Sequence, residues 1–162
     1  MFIFGQEKTT MNHNKFNLPS YPLKIRLHQG KQDVFDGLRK KYVALTPEEE
    51  VRQLFIQYLI IEKKYPSGLL AAEYSLKVNN RKKRADIVAF SNMGHPLLIV
   101  ECKAPSIKIT QKVFDQIAQY NLSLRVDYLI VTNGLEHFCC QLDFTKNSYR
   151  FLEDIPEYSE IL

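Results

Sequence analysis

Two short apolar segments joined by a turn dominate the pattern of this sequence. The first runs from Arg84 to Phe90 and the second from Leu97 to Pro105, and the residues between them include the turn formers Asn92 and Gly94. Short runs rich in Ile, Val, Leu and Phe with such punctuation are typical of neighbouring strands. We therefore predict two antiparallel strands joined by a tight connection.

Acidic and basic residues lie at the open end of this predicted pair. Asp86 is near the start of the first strand, and Glu101 and Lys103 are at the end of the second. Because antiparallel pairing brings the start of one strand beside the end of the other, Asp86 should lie next to Glu101 and Lys103. Side chains two apart on a strand share a face, so Glu101 and Lys103 should point the same way and Cys102 the opposite way.

Two carboxylates and a lysine in this arrangement suit metal-dependent cleavage of phosphodiesters. Mg²⁺ prefers oxygen ligands, so Asp86 and Glu101 predict a Mg²⁺ site, with Mn²⁺ as a substitute. Lys103 would orient or deprotonate the attacking water, or neutralise charge on the phosphate. The alternative is a structural role, because Glu-x-Lys is a weak pattern that Glu62 and Lys64 also fit. In that case the first acid is a turn residue or the partner of a nearby arginine.

The composition predicts one domain preceded by a leader. The chain has 162 residues, of which 45% are apolar, and this suffices for a single core. Residues 1–20 are polar and aperiodic, so we expect a mobile leader there, followed by one domain over 21–162 with its core at about 46–142. A peripheral strand is expected between Tyr21 and Gly37, and the acidic segment Asp33–Asp36 is interpreted as a turn.

Charge and cysteine content narrow the class of protein. The net charge of +4 is compatible with a polyanionic partner such as DNA but does not require one. Three cysteines, two of them adjacent, argue against a disulfide framework and against a zinc site. No apolar segment reaches the roughly 18–20 residues that span a bilayer, and the N-terminus lacks the pattern of a signal peptide. We expect a cytoplasmic protein with no membrane partner.

A helix is predicted to begin at Thr46. Thr46 is placed as its N-cap, Pro47 as its first residue, and Glu49 as the second half of a capping box. Helical spacing of apolar residues continues to about Lys64. The inward positions are Val51, Leu54, Phe55 and Tyr58. Glu48 projects from the same stripe and is a candidate metal ligand, although a favourable charge at the helix N-terminus explains it equally well.

A basic run precedes Asp86. A strand is predicted from Leu69 to Val78, and the turn after it carries four consecutive basic residues. These residues are Arg81, Lys82, Lys83 and Arg84. In that turn they would lie beside the predicted site and contact a phosphate backbone, or they would simply be solvated.

The second half of the sequence predicts a helix between strands. Thr110 caps a helix that runs to about Leu124. Its inward positions are Val113, Phe114, Ile117, Asn121 and Leu124, and Gln116 and Tyr120 lie four apart on the margin of that face. A near-continuous apolar strand at 126–132, of the kind buried on both faces, precedes a turn at 133–134 and a strand at 137–142. A short helix is expected at 156–162. This order predicts an α/β sandwich with a central mixed sheet, in which the second helix connects parallel strands.

These segments together resemble the PD-(D/E)xK nuclease superfamily, and within it the N-terminal nuclease domain of type I restriction enzyme R subunits. The resemblance covers roughly Thr46 to Leu142 and rests on five segments: TPEEEVRQ at 46–53, RADIV at 84–88, VECKAP at 100–105, QIAQY at 116–120 and VTNG at 131–134. It implies a restriction-endonuclease-like sandwich and a Mg²⁺-dependent DNA endonuclease. Ala85 stands where the superfamily name has Pro.

The resemblance also implies roles for individual residues. Asp86 and Glu101 would be metal ligands, joined by the backbone carbonyl of Cys102 and by the acid at the start of the first helix, and Lys103 would be the catalytic lysine. That acid falls on Glu48 or Glu49, and helical geometry favours Glu48. Gln116 and Tyr120 would orient the lysine or contact DNA, whereas without the resemblance they are ordinary polar surface residues.

The expected biological context is a restriction-modification system. The sequence has no Gly-rich phosphate-binding loop and ends where an R subunit continues into its motor domains, so we expect a stand-alone nuclease or a subunit that lends its site to partners. Its expected partners are DNA and either a second copy or other subunits of the system. The first alternative is a non-catalytic DNA-binding or assembly subunit on the same fold. The second is an enzyme or scaffold that does not act on nucleic acid.

Overall fold

The structure is a computed structural model that describes residues 7–11, 15–78 and 80–162. Over these residues the chain forms two β-sheets and two α-helices. The first sheet has the order β1 (Glu7–Met11), β2 (Pro22–His28), β3 (Lys31–Asp36) and β4 (Lys41–Ala44), and helix α1 (Pro47–Ile61) follows it. The remaining elements are β5 (Leu70–Val78), β6 (Arg81–Phe90), β7 (Pro96–Cys102), α2 (Gln111–Leu122), β8 (Tyr128–Thr132), β9 (His137–Asp143) and β10 (Ser148–Phe151). Neither of these helices is long and apolar enough to cross a membrane.

The larger sheet is mixed, as predicted. Its strand order is β10-β9-β8-β7-β6-β5. β7 and β8 run parallel, and the other neighbours in this sheet are antiparallel. α2 connects β7 to β8, because parallel neighbours need a crossover that returns the chain to the same end of the sheet. The predicted α/β sandwich and its crossover helix are therefore confirmed.

Each face of the larger sheet packs against one helix. On the α1 side the core contains Leu54, Phe55, Ile87 and Val100. On the α2 side it contains Phe114, Ala118, Val88 and Ile99. Successive residues of β6 and β7 thus serve opposite layers, as the alternation of side chains on a strand requires. The prediction that the strand ending at 132 is buried on both faces is also confirmed, since 129–132 are all buried.

The start of α1 follows the predicted pattern only in part. The Thr46 hydroxyl accepts a hydrogen bond from the Glu49 backbone N–H at 3.1 Å, so Thr46 is the N-cap. The predicted return bond of a capping box is wrong. The Thr46 N–H donates instead to the Ala44 carbonyl at 3.1 Å, and the Glu49 carboxylate binds arginines. The helix ends at Ile61, nearly one turn before the predicted end at Lys64.

The N-terminal region departs most from prediction. The mobile leader predicted at 1–20 is wrong for Glu7–Met11, which form β1 and pair with β2, whereas residues 1–6 and 12–14 lie outside the described part. The single peripheral strand predicted at 21–37 is two strands, and Asp33–Asp36 lie in β3 rather than in a turn. β1 and β3, in contrast to β2, are largely polar and depend on cross-strand partners, which local patterns do not reveal.

Three further elements differ from the sequence-based prediction. The basic run is not a turn, because β6 begins at Arg81. Lys82 pairs with Lys77 of β5, and Lys83 pairs with Leu76. β10 was not predicted. The C-terminal segment expected to be a helix contains a single 3₁₀ turn at Tyr158–Glu160.

Gly134, in the turn after β8, occupies a position that only glycine fits. Its φ is 84°, and a Cβ there would lie 2.6 Å from Cδ1 of the Phe16 ring. We expect Gly134→Ala to destabilise the protein by about 1–3 kcal/mol, measured by urea unfolding. Gly37→Ala is the control, because a Cβ at Gly37 meets no atom within 4 Å. Equal unfolding midpoints for the two variants would contradict this account.

Candidate active site

The open ends of β6 and β7 bring two carboxylates side by side. The register pairs Ile87 with Val100, so the next residues toward the open end, Asp86 and Glu101, are neighbours. The Cys102 N–H donates to Asp86 Oδ2 at 2.7 Å. This bond fixes the Asp86 carboxylate against β7, at the place where the sequence predicted the two acids to meet.

Glu73, which the sequence analysis did not assign to the site, lies on β5 across from Asp86. The β5–β6 pairs continue on both sides of Glu73, but Glu73 itself is unpaired and has a φ of 53°. A positive φ is uncommon for a residue with a Cβ and costs about 1 kcal/mol or more. Its carboxylate contacts Arg52 at 2.8 Å and Arg84 at 2.7 Å. The irregularity thus places a third acid beside the site.

Arg52 on α1 is the central cation of this cluster. Its guanidinium contacts Glu49, Asp86 at 2.7 Å, Glu73 at 2.8 Å and Glu48 at 3.4 Å. Burial opposes the charge, but the carboxylates of Asp86 and Glu49 outweigh burial and raise the pKa of Arg52. Sequence reasoning missed Arg52, although a basic residue on the buried face of an amphipathic helix is a signal that it has acidic partners.

A chain of buried ion pairs links the site to the smaller sheet. Arg39, in the turn after β3, contacts Asp36 and also Glu49, the latter at 2.8 Å. Asp36 is fully buried. Burial alone would raise its pKa, but hydrogen bonds from Arg39 outweigh burial and lower it. Since Glu49 also binds Arg52, the first sheet is connected to Asp86 through alternating charges.

Lys83 turns toward Glu101 and is not part of an exposed run. Its ammonium contacts the Glu101 carboxylate and donates a hydrogen bond to Asn121 Oδ1 at 3.1 Å. The side chain is only 11% exposed, so little of it is in contact with water. It also lies 4.5 Å from the centre of the Tyr120 ring. Burial raises the pKa of Glu101, Lys83 acts in the opposite direction, and Asp86 raises it further.

Lys103 and Glu48 lie at the mouth of the site. The Lys103 backbone N–H donates to the Thr132 carbonyl at 2.8 Å, which holds the chain just after β7. Burial and the Asp86 charge raise the pKa of Glu48, while Arg52 and Lys103 lower it. The charge of Lys103 also lowers the pKa of Glu101. Among the described residues, no carboxylate is within ion-pair distance of it.

The remaining predicted residues are more exposed. Gln116 is exposed on α2, and Tyr120 is 48% exposed with its ring against Lys83. Arg81 and Lys82 are exposed. The prediction that all four residues of the basic run lie on the surface is wrong for Lys83, whose side chain is mostly buried. Arg84 is exposed as well but is paired with Glu73. The structure therefore brings Tyr120 to the site through its contact with Lys83 and leaves Gln116 exposed on α2.

The donor atoms fit a hard cation only as a two-carboxylate site. In the described part of the chain, no three His, Cys, Asp or Glu side chains are arranged to hold a metal ion. Instead, each of the two carboxylates forms an ion pair with a cation of the protein, Asp86 with Arg52 and Glu101 with Lys83. Mg²⁺ commonly uses one or two carboxylates and keeps its waters, however. Glu101 Oε1 is buried and in ion-pair contact with Lys83 but has no aligned hydrogen bond, so a metal ion at this atom would have to displace the ammonium.

The Cys102 thiol takes no part in such a site. It is fully buried on the α1 side of the sheet, and burial raises its pKa well above the usual value. A neutral thiol is a poor metal ligand. The candidate side-chain donors for a cation are therefore the carboxylates of Asp86 and Glu101, and Glu48 and the Cys102 carbonyl stay predicted ligands.

Comparison with known proteins places the chain in a family. The family model described as "Type I restriction enzyme R protein N terminus (HSDR_N)" matches residues 47–156. A solved fragment assigned as an HsdR subunit of a type I restriction enzyme from Vibrio vulnificus YJ016 is similar in fold, with a TM-score of 0.51 and 20% identity over 72% of this chain. The match spans 24% of that protein's chain, and no curated protein matches this sequence. Because the family model covers more than half of its residues, the chain belongs to the family of type I restriction enzyme R protein N termini.

Proposed function

We propose that this chain is a metal-dependent DNA endonuclease domain of the PD-(D/E)xK type. One observation carries the proposal: the register of β6 and β7 makes Asp86 and Glu101 neighbours at the strand end that Lys103 directly follows. Membership of a restriction enzyme family supports nuclease-type chemistry. The same family supports DNA as the substrate.

The residues of the chain have distinct tasks in this proposal. Mg²⁺ held by Asp86, Glu101 and the Cys102 carbonyl would polarise the scissile phosphate and lower the pKa of a bound water. Asp86 is held in place by the Cys102 N–H and by Arg52, so its orientation is set before substrate arrives. Lys103 orients or deprotonates the attacking water, or neutralises charge on the phosphate.

The DNA backbone would contact the exposed basic residues near the open end of β6. Arg81 and Lys82 are exposed there, and Arg84 is 70% exposed although it also binds Glu73. Such cations position a phosphate backbone without reading its sequence. Gln116, which is exposed on α2, would contact the substrate as well.

One observation favours a second candidate, a non-catalytic DNA-binding or assembly subunit. Arg52 and Lys83 already balance the charges of Asp86 and Glu101 without a metal. A site that has lost its metal during evolution would look the same. The two functions make opposite predictions for metal binding.

The test is a calorimetric titration of Mg²⁺ and Mn²⁺ together with a supercoiled-plasmid nicking assay on the same samples. We expect the parent protein to bind metal, to nick in Mg²⁺ or Mn²⁺, and to stop when EDTA is added. Asp86→Asn keeps the shape of the side chain but removes its charge, so Mn²⁺ affinity should fall at least about tenfold. Asp33→Asn is the matched control, because Asp33 lies in β3 and binds Arg26.

The outcomes separate the two functions. A folded parent that binds no metal would contradict the nuclease proposal and support the non-catalytic subunit. Metal binding without nicking by the isolated chain would assign cleavage to an assembly with other subunits. Equal Mn²⁺ affinities for Asp86→Asn and Asp33→Asn would exclude Asp86 as a ligand.

A further inference from the structure

Lys83 lies inside the molecule because of its position on β6. Ala85, two residues along the same strand, packs in the core between the larger sheet and α2. Lys83 faces α2 as well, because its ammonium reaches Asn121 and the Tyr120 ring on that helix. Its neighbours Lys82 and Arg84 are exposed. One residue of the basic run is therefore separated from the others and directed at the α2 side of the site.

Two kinds of contact hold the Lys83 ammonium. The first is the ion pair with Glu101, whose side chain is only 13% exposed. The second comes from α2 and does not involve Glu101: Asn121 Oδ1 accepts a hydrogen bond at 3.1 Å, and the Tyr120 ring lies 4.5 Å away. A cation over an aromatic face is attracted to it even when it is partly exposed. Lys83 therefore keeps a position beside the site without its acidic partner.

The Glu101 carboxylate cannot serve an ammonium and a divalent cation equally well at the same time. A positive charge next to a ligand oxygen repels an incoming cation, and the repulsion is strong where water is excluded. Glu101 without a counter-ion would be a buried, uncompensated charge, which is costly. An ammonium that leaves Glu101 only when a metal binds would keep this carboxylate neutralised at all times and would not repel the metal.

We propose that Lys83 is a second lysine of the site, which neutralises Glu101 in the absence of metal and is released from Glu101 by a bound divalent cation. Asn121 and Tyr120 then retain the ammonium beside the site, where it supplies positive charge to the phosphate of DNA. The role of Tyr120 is to hold Lys83. This inference rests on the proposed function, because it takes Glu101 as a metal ligand.

The first test measures Mn²⁺ affinity by calorimetry without DNA. Lys83→Met removes the competing charge but keeps the aliphatic stem, so we expect it to bind Mn²⁺ at least about fivefold more tightly than the parent. Lys77→Met is the control, since Lys77 is exposed on the neighbouring strand β5 and carries the same charge. A lysine with only a structural role would have the opposite effect, because its loss would loosen the site and weaken metal binding.

The second test measures plasmid nicking at saturating Mn²⁺. We expect Lys83→Met to nick at least about tenfold more slowly than the parent despite its tighter metal binding. Tyr120 variants separate the ring from the fold, since Tyr120 is 48% exposed and its truncation does not open the core. Tyr120→Leu should nick at least about fivefold more slowly than Tyr120→Phe, because only Phe keeps an aromatic face for Lys83.

The failures of the two proposals are distinguishable. If the parent binds Mn²⁺ but Lys83→Met binds it equally or more weakly, this inference is overturned and the proposed function stands. Equal nicking by Tyr120→Leu and Tyr120→Phe would overturn the role of the ring. If the folded parent binds no Mn²⁺, both the proposed function and this inference are overturned.

Discussion

Replacing Arg52 by methionine is expected to destabilise the protein by about 3–5 kcal/mol, as removal of one partner from a buried ion pair does. The Arg52 side chain is 5% exposed and contacts Asp86, Glu73 and Glu49. Methionine fills a similar volume, so the loss would come from charge and not from a cavity. Four carboxylates, Glu48 among them at 3.4 Å, would then lose the counter-ion that they share.

The measurement is urea unfolding at neutral pH, and Arg26→Met is the matched control. Arg26 pairs with Asp33 at 3.1 Å on the smaller sheet, but its side chain is 33% exposed. Pairs that remain in contact with water contribute about 1 kcal/mol or less. Comparable losses of stability in the two variants would mean that the Arg52 cluster is no more important to the fold than a surface pair.

Ion pairs of the same cluster connect the smaller sheet to the rest of the domain. The family match begins at residue 47, so β1–β4 lie outside it. Leu23 and Val34 of this sheet nevertheless share a core with α1. The ion pairs from Asp36 through Arg39 and Glu49 continue from that sheet to the centre of the site. A change in the first sheet can therefore reach the carboxylates of the site through contacts that are nearly all buried.

Local patterns were sufficient for the elements that carry the predicted ligands. The two short apolar runs within 84–105 and the turn formers between them predicted the β6–β7 hairpin, and antiparallel geometry then put Asp86 beside Glu101. Thr46 and Thr110 predicted both helix starts, because an N-cap leaves a signature within four residues. The parallel pairing of β7 with β8 followed from the length of the helical connection.

The parts that could not be predicted depend on distant partners. β1 and β10 are edge strands of only five and four residues, and pairing with β2 and β9 defines them. Glu73 and Arg52 meet across 21 positions of sequence, and nothing in either segment alone indicates the contact. The inward position of Lys83 was hidden because interpreting its segment as a turn removed the alternation that assigns it a face.

The largest effect on catalysis is expected at Lys103. We predict that Lys103→Met lowers the rate of plasmid nicking by about 10²–10⁴-fold, which is the usual contribution of a positioned proton-transfer or charge-stabilising group. Mn²⁺ affinity should not fall, because Lys103 carries the same sign of charge as the metal. Lys108→Met is the control, since Lys108 is an exposed lysine five residues along the chain.

The comparison of Lys103 with Lys83 decides which lysine performs the chemistry. Lys103 has no carboxylate in ion-pair distance among the described residues, whereas Lys83 is bound to Glu101 and to α2. The Lys103 ammonium, which no described carboxylate holds, can move to orient the attacking water, whereas the Lys83 ammonium can only supply a positive charge at a fixed position. Loss of Lys103 should therefore slow nicking more than loss of Lys83. If Lys103→Met nicked as fast as the parent while Lys83→Met did not, Lys83 would be the catalytic lysine and Lys103 a residue of the surface.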